Sequence, residues 1–204
     1  DAWQKSVPAD APNRFVINIQ PDQRDAVADM LRDNGIEAEL LPMVRARLVR
    51  IAGKEVSPAS YPEDERAQRL IEREFNLSWR SDLPTGNSLT AGRWFAPGDA
   101  GQGLASVEEG LAKTLGIQLG DELVFMIAGV EKRVKTSNFR KLAWDSMRVN
   151  FFVLTPPGVI DDAPASYITS FHLPAEQGDA AAEVVRRFPG LRMIDVGAIL
   201  RQLQ

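Results

Sequence analysis

The chain of 204 residues contains no cysteine, which removes thiolate nucleophiles, Cys-type zinc sites and disulfide frameworks. The redox compartment stays open. Histidine occurs once, as His172, so any Ser-His-acid arrangement would have to be built around that residue. Apolar runs are short, none approaching the roughly 20 residues of a membrane span, and the chain as it stands reads as water-soluble. Positive charge is not in excess: 24 Lys and Arg against 28 Asp and Glu leave a net charge of -4. A broad surface for phosphate backbones needs clustered Lys and Arg, so nucleic acid is not an expected partner. Low-complexity bias is absent too, with 44% hydrophobic and 25% charged residues, which leaves an ordinary globular domain. A chain of this length buries roughly 70% of its unfolded surface, enough for one core or two small linked ones.

What is present is a similarity between the two ends. Phe15 to Gln20 reads as a strand closed by Pro21, followed by a helix from Asp22 to Asn34 that Gly35 ends. Tyr167 to Leu173, Pro174, a helix from Ala175 to Phe188 and Gly190 repeat that order. Alternation places Phe15, Ile17 and Ile19 on one face of the first strand, and helical spacing buries Ala26, Val27, Met30 and Leu31. A second strand covers Leu40 to Ile51 and carries Arg45, Arg47 and Arg50. The middle has another texture, with short strands at Leu77 to Asp82, Ser88 to Phe95, Leu123 to Ala128, Lys132 to Asn138 and Arg148 to Thr155. The last of these is apolar on both faces and so is expected to be buried. Ser60-Tyr61-Pro62-Glu63 and Ser106-Val107-Glu108-Glu109 have the spacing of capping boxes that open helices, the second helix ending at Gly116. Pro97 to Gly103 is expected as a Gly-rich loop.

Chemical templates fit poorly. His172 falls in a strand without a Gly-x-Ser-x-Gly elbow, and a surface or edge histidine is favoured over a base. Asp161-Asp162 and Glu63-Asp64-Glu65 are the densest acidic groups, and both read as solvated faces or helix starts rather than metal ligands. Gly98-Asp99-Ala100-Gly101-Gln102-Gly103 lacks the ending of a phosphate loop. Arg45, Arg47 and Arg50 form either an exposed paired face or an anion site. Trp79, Trp94 and Trp144 form either core or the wall of a groove for an apolar ligand. No catalytic, metal-binding or cofactor-binding residue is assigned, and no cofactor is expected.

Three stretches carry a family resemblance. Phe75-Asn76-Leu77-Ser78-Trp79 leads to Leu89-Thr90-Ala91-Gly92-Arg93-Trp94-Phe95. Ala112-Lys113-Thr114-Leu115-Gly116-Ile117 leads to Gly120-Asp121. Trp144-Asp145-Ser146-Met147-Arg148 runs into Asn150-Phe151-Phe152-Val153-Leu154 and Pro156-Pro157-Gly158. Together they resemble the MacB-like periplasmic core domain of FtsX-like ABC transporter permeases of the YbbP type, over nearly the whole chain.

The resemblance implies an α+β fold in which a split ferredoxin-like α/β (porter) lobe is built from both chain ends and carries an inserted β-rich lobe. The expected parts are a membrane-proximal leading segment at 1-12, the porter lobe at 13-55 and 165-204, and the insert at 56-164. It further implies a non-enzymatic domain on the periplasmic face of the bacterial inner membrane, anchored there in a longer protein. Such a domain couples ATP hydrolysis by a separate cytoplasmic ABC ATPase to movement, and a periplasmic thioesterase or lysophospholipase is a candidate partner. The start at Asp1 without Met and the stop at Gln204 within a helical pattern fit an excised piece. A stand-alone periplasmic binding module for an apolar ligand is the alternative.

Overall fold

The structure, a computed structural model, is described over residues 9–143 and 146–196. The chain is α+β. The first elements are β1 (Arg14–Ile19), α1 (Arg24–Asp33), β2 (Leu41–Ile51), β3 (Lys54–Glu55), α2 (Glu65–Glu72), β4 (Phe75–Trp79) and β5 (Ser88–Gly92). They are followed by β6 (Leu104–Glu108), α3 (Glu109–Leu115), β7 (Glu122–Ile127), β8 (Val130–Lys141) and β9 (Val153–Thr155). The last are β10 (Ser166–Phe171), α4 (Gly178–Arg187) and β11 (Arg192–Asp195). Contacts divide the chain into two compact units, Asp1–Pro42 with Trp144–Asn150 and Ala165–Gln204, and Met43–Ala143 with Phe151–Pro164.

In the first unit β1 lies between β10 and β11, antiparallel to both. Its side chains do not alternate as expected. Asn18 takes a left-handed φ of 66°, the register shifts between Val16 and Ile19, and these two residues, three apart, share the buried face. A bulge of this kind moves a side chain from one face to the other, which leaves Phe15 and Ile17 only half-buried. The Asn18 amide secures the bulge by donating to the Gly190 carbonyl at 3.0 Å. Val27, Met30 and Leu31 of α1 and Val184 of α4 close the core over Val16, Ile19 and Phe171, whereas Ala26 is exposed. Each such side chain contributes roughly 1.5–3 kcal/mol on burial.

The second unit is a closed barrel, which the sequence does not announce. β2 pairs with β4, β4 with β9, β9 with β6, β6 with β8, β8 with β7, and β7 returns to β2. A ring of six strands has no free edge and encloses its core. Leu48, Leu77, Leu123, Phe125, Val134 and Leu154 are buried among these strands. From Met43 onward β2 belongs to this unit, not to the unit built from the ends, because its partners Leu77 and Met126 are here. Ser106, Val107 and Glu108 of β6 were expected as part of a capping box. β6 forms because it inserts between β8 and β9, a non-local pairing that local signals cannot show.

The helix starts also differ from expectation. Asp64, not Ser60, caps α2 by accepting from the Ala67 N–H at 3.0 Å; the Ser60 hydroxyl accepts from the Ser57 N–H one turn earlier. Glu108, not Ser106, caps α3, its carboxylate accepting from the N–H groups of Gly110 at 2.9 Å and Leu111 at 2.6 Å. Gly116, at φ 79°, ends that helix as expected. Arg148 to Thr155 is a strand only at Val153–Thr155, all three residues being buried. Trp144, one of the three tryptophans read as core or groove wall, and the helical pattern in which the chain stops lie outside the described residues.

Candidate functional site

His172 sits just past β10, half-buried, with Nδ1 3.0 Å from the Ala11 carbonyl oxygen. The nearby Asn13 side chain binds Leu173 on both sides, accepting from its N–H at 2.7 Å and donating to its carbonyl at 3.0 Å. His172 is therefore part of a clamped strand end. The acidic groups are likewise used in construction: Asp161 accepts from the Gly158 N–H at 2.9 Å, and Asp162 pairs with Lys132 at 3.2 Å. Among the described residues no group of His, Asp and Glu could hold a metal ion. Of the three arginines on β2, Arg50 bonds Glu131 at 2.7 Å, and Arg45 and Arg47 are exposed; the paired-face reading holds for Arg50.

The most unusual chemistry is inside the barrel unit. Arg140, from β8, is fully buried. Its Nε donates to Ser106 Oγ at 2.5 Å, Nη1 to Asn87 Oδ1 at 2.7 Å, and Nη2 to the carbonyls of Phe151 at 2.9 Å and Phe152 at 3.2 Å. The Ser106 hydroxyl donates in turn to Asn138 Oδ1 at 2.5 Å, and the Asn138 amide donates to the Arg93 carbonyl at 3.1 Å. Burial lowers Arg140 to about 10, and the Glu108 carboxylate opposes that shift; the guanidinium stays charged at neutral pH. A buried cation is tolerated only when its donors are matched. This one stitches β5, β6, β8 and the segment entering β9 together, which is an architectural task. Sequence reading passed over Arg140, because the strand expected there ended at Asn138, whereas β8 runs on to Lys141.

The network leads to the stretch Gly92-Arg93-Trp94-Phe95. Gly92 has φ 75°, and a Cβ there would stand 2.2 Å from the Ser137 carbonyl oxygen, so only glycine lets the chain approach β8 this closely. Trp94 packs on Phe95 with ring centroids 4.3 Å apart and donates from Nε1 to the Ser81 carbonyl at 2.9 Å. Cavities flank this aromatic pair. One, of about 370 Å³, is bounded by Leu83, Trp94, Phe95, Pro97, Pro156 and Pro157. The other, of about 190 Å³, is bounded by Arg93, Trp94, Lys135, Thr136 and Ser137. Trp94 borders both cavities, whereas Trp79, named with it as core or groove wall, is half-buried at the end of β4 and lines neither. The loop at 98–103 is turn material, with Asp99 Oδ2 accepting from the Ala96 N–H at 2.7 Å and Gly101 bonding the Pro157 carbonyl at 2.8 Å.

These features define a class: a two-unit α+β domain with a buried arginine network that serves its architecture and two cavities beside one aromatic pair. No family model matches the chain. It is 38% identical over 205 residues to the uncharacterised ABC transporter permease YbbP of Escherichia coli (strain K12), an alignment covering 100% of this chain. The chain spans about a quarter of that relative, 24% of its length. A solved domain of a protein assigned as a permease in Porphyromonas gingivalis covers 91% of this chain at 13% identity. Of that solved chain 90% is covered, with a TM-score of 0.36, too low to bear on the argument. The chain belongs to the FtsX/MacB-like ABC transporter permease domains, the family its motifs resemble. No helix among the described residues is long and apolar enough to cross a membrane.

Proposed function

We propose that the chain is an extracytoplasmic, non-catalytic domain of an ABC transporter permease subunit, lying on the periplasmic face of the inner membrane and anchored there in the full-length protein. It passes movement driven by a separate cytoplasmic ATPase to a hydrophobic or lipid-like compound that is exported or extracted, with a periplasmic thioesterase or lysophospholipase as a candidate partner. The observation that carries this reading is the 38% identity to a permease across the whole chain.

The lobe built from the ends is then the split ferredoxin-like porter lobe, and the barrel unit is its insert. The strand order β11-β1-β10, with Leu41 and Pro42 at the start of β2 in the same unit, supports this, since two βαβ halves interleaved in one antiparallel sheet are what such a fold requires. Transmission calls for bodies that hold their shape, and the closed ring of strands with its buried Arg140 network fits that need.

Leu119 is 44% exposed, and Leu119→Cys in a full-length protein whose cysteines outside this chain have been replaced gives one reactive thiol, since the chain itself has none. A membrane-impermeant maleimide should label it in intact cells permeabilised only at the outer membrane. Labelling only after the inner membrane is broken would overturn the placement. A second reading, a stand-alone periplasmic binding module for an apolar ligand, is favoured by the cavity of about 370 Å³ between Leu83, the Trp94–Phe95 pair and three prolines. Tight binding of such a ligand by the isolated chain, with no association with membranes of the full-length protein, would select it.

A further inference from the structure

We infer that Asn13 is a positioning residue for transmission: it fastens the point where the chain enters the lobe built from the ends to the point where the chain leaves it. A pull on either flank then reaches that lobe as a whole. The inference rests on the transporter reading, in which both flanks run on to the membrane.

β1 and β11 are antiparallel, with Arg14 opposite Asp195, which puts entry and exit at one end of the sheet. One rung beyond that ladder the Asn13 carbonyl accepts from the Val196 N–H at 2.9 Å and from Arg14 Nη1 at 3.2 Å. The same Arg14 nitrogen donates to Asp195 Oδ1 at 3.0 Å. Toward β10, the Asn13 N–H donates to the Phe171 carbonyl at 3.0 Å.

The side chain carries the pairing with β10 past the point where the backbone can. Arg14 faces Phe171 in the β1–β10 register, so the residue two rungs on, facing Leu173, is Pro12, which has no N–H to donate. The Asn13 carboxamide supplies what the proline lacks: Nδ2 donates to the Leu173 carbonyl at 3.0 Å, and Oδ1 accepts from the Leu173 N–H at 2.7 Å. A carboxamide carries the donor and acceptor of a peptide group, and asparagine is the shortest side chain with both. Leu173 is 1% exposed and belongs to the same core cluster as Val27 and Val184. Asn13 thus ties β1, β10 and β11 together at one end, with its grip on β10 set in the core.

The place of this clasp gives it a mechanical role. Chain ends fray unless they are tied down, and a pull that spreads the two flanks opens the rungs between β1 and β11 one at a time from the outside. The outermost rung is the one between Asn13 and Val196. Held there, and gripped at Leu173 on the other side, the lobe follows its flanks as one body.

The test is made in the full-length protein reconstituted with its ATPase. Asn13→Ala removes both side-chain bonds, and Asn13→Asp keeps the shape and the acceptor but loses the Nδ2 donor. Hydrogen exchange at the Leu173 amide should rise roughly tenfold in Asn13→Ala and less in Asn13→Asp. Amides of α1 should exchange as in the parent, which reports that the lobe stays folded. With spin labels on Asp33→Cys and Val130→Cys, in a background without other cysteines, the nucleotide-dependent change in distance should be at least about twofold smaller in Asn13→Ala. ATP hydrolysis should continue at the parent rate. If Asn13→Ala does not fold, Asn13→Asp carries the same comparison, with a smaller reduction expected.

A distance change as large in the variants as in the parent overturns the inference and leaves the transporter reading standing, even where Leu173 exchanges faster, since the clasp would then serve architecture alone. Absence of any nucleotide-dependent change in the parent overturns the transporter reading, and the inference with it.

Discussion

Replacing Arg140 by methionine removes the buried cation while nearly keeping its volume, and the outcome follows from which bonds are lost. The Phe151 carbonyl loses the Nη2 donor at 2.9 Å, and Ser106 Oγ loses the Nε donor at 2.5 Å. The Phe152 carbonyl retains the Glu108 N–H at 2.8 Å. Asn87 Oδ1 likewise loses the Nη1 donor at 2.7 Å; hydrogen bonds to a charged group contribute roughly 1.5–3 kcal/mol each, so the three come to about 4.5–9 kcal/mol. Returning the guanidinium's desolvation cost recovers part of this. Glu108, itself buried, meanwhile loses its nearest favourable charge. The expected net loss is about 3 kcal/mol, which in a chain of this size lowers Tm by roughly 6–12 °C. Urea unfolding followed by tryptophan fluorescence reads the change as a lower midpoint at constant slope. Arg140→Lys should fall between the two, because an ammonium keeps the charge but not the fork. If Arg140→Met were as stable as the parent or more so, the barrel would not depend on the network, and the reasoning above would be wrong.

Gly92→Ala puts a Cβ 2.2 Å from the Ser137 carbonyl in a left-handed conformation, and should cost at least about 3 kcal/mol by chemical denaturation. Asp64→Ala leaves the Ala67 N–H without its cap, and should lower stability by about 1 kcal/mol in the same assay, with Asp64→Asn close to neutral. The Tyr61 hydroxyl donates to the Leu115 carbonyl at 2.6 Å, and burial raises its pKa above the ordinary 10.0. The neutral phenol is the form the fold favours, so this contribution is fully present below pH 10 and is lost as pH rises through the folded value. Tyr61→Phe should therefore cost about 1 kcal/mol at neutral pH and show a shallower fall in stability above pH 10.

The elements legible in the sequence were those that local chemistry defines. α1 with Gly35 beyond its end, α3 ending at Gly116, and β7 turning into β8 each carry periodicity or a glycine where the chain needs a left-handed residue. Signals failed where a distant partner decides. β6 is a strand because β8 and β9 flank it, and the faces of β1 are set by a bulge that Gly190, far along the chain, helps to hold. Barrel closure rests on β7 returning to β2, a pairing with no local mark. The cap at Asp64 displaced the one expected at Ser60 because Ser57 and Ser60 had already formed their own short turn.

The surroundings of Trp94 were partly legible. Its aromatic character and the neighbouring Gly92 and Arg93 stood out as a motif, and the groove was one of two readings. Lys135 and Thr136 did not stand out, since a lysine and a threonine in alternation on a strand are ordinary until the strand is wrapped into a barrel. Arg140 was missed because the strand expected at Lys132 to Asn138 stopped short of it; its alternation with Val134, Thr136 and Asn138 places it on the buried face of β8.

Movement is the central claim, and spin-label distances measure it directly. With the cysteines outside this chain replaced, and none within it, Asp33→Cys at the end of α1 and Val130→Cys at the start of β8, 57% exposed, give two labels, one in each unit. In the full-length protein, reconstituted with its ATPase, the distance distribution between them should differ between the nucleotide-free and nucleotide-trapped states. Superimposable distributions in every nucleotide state would contradict the account.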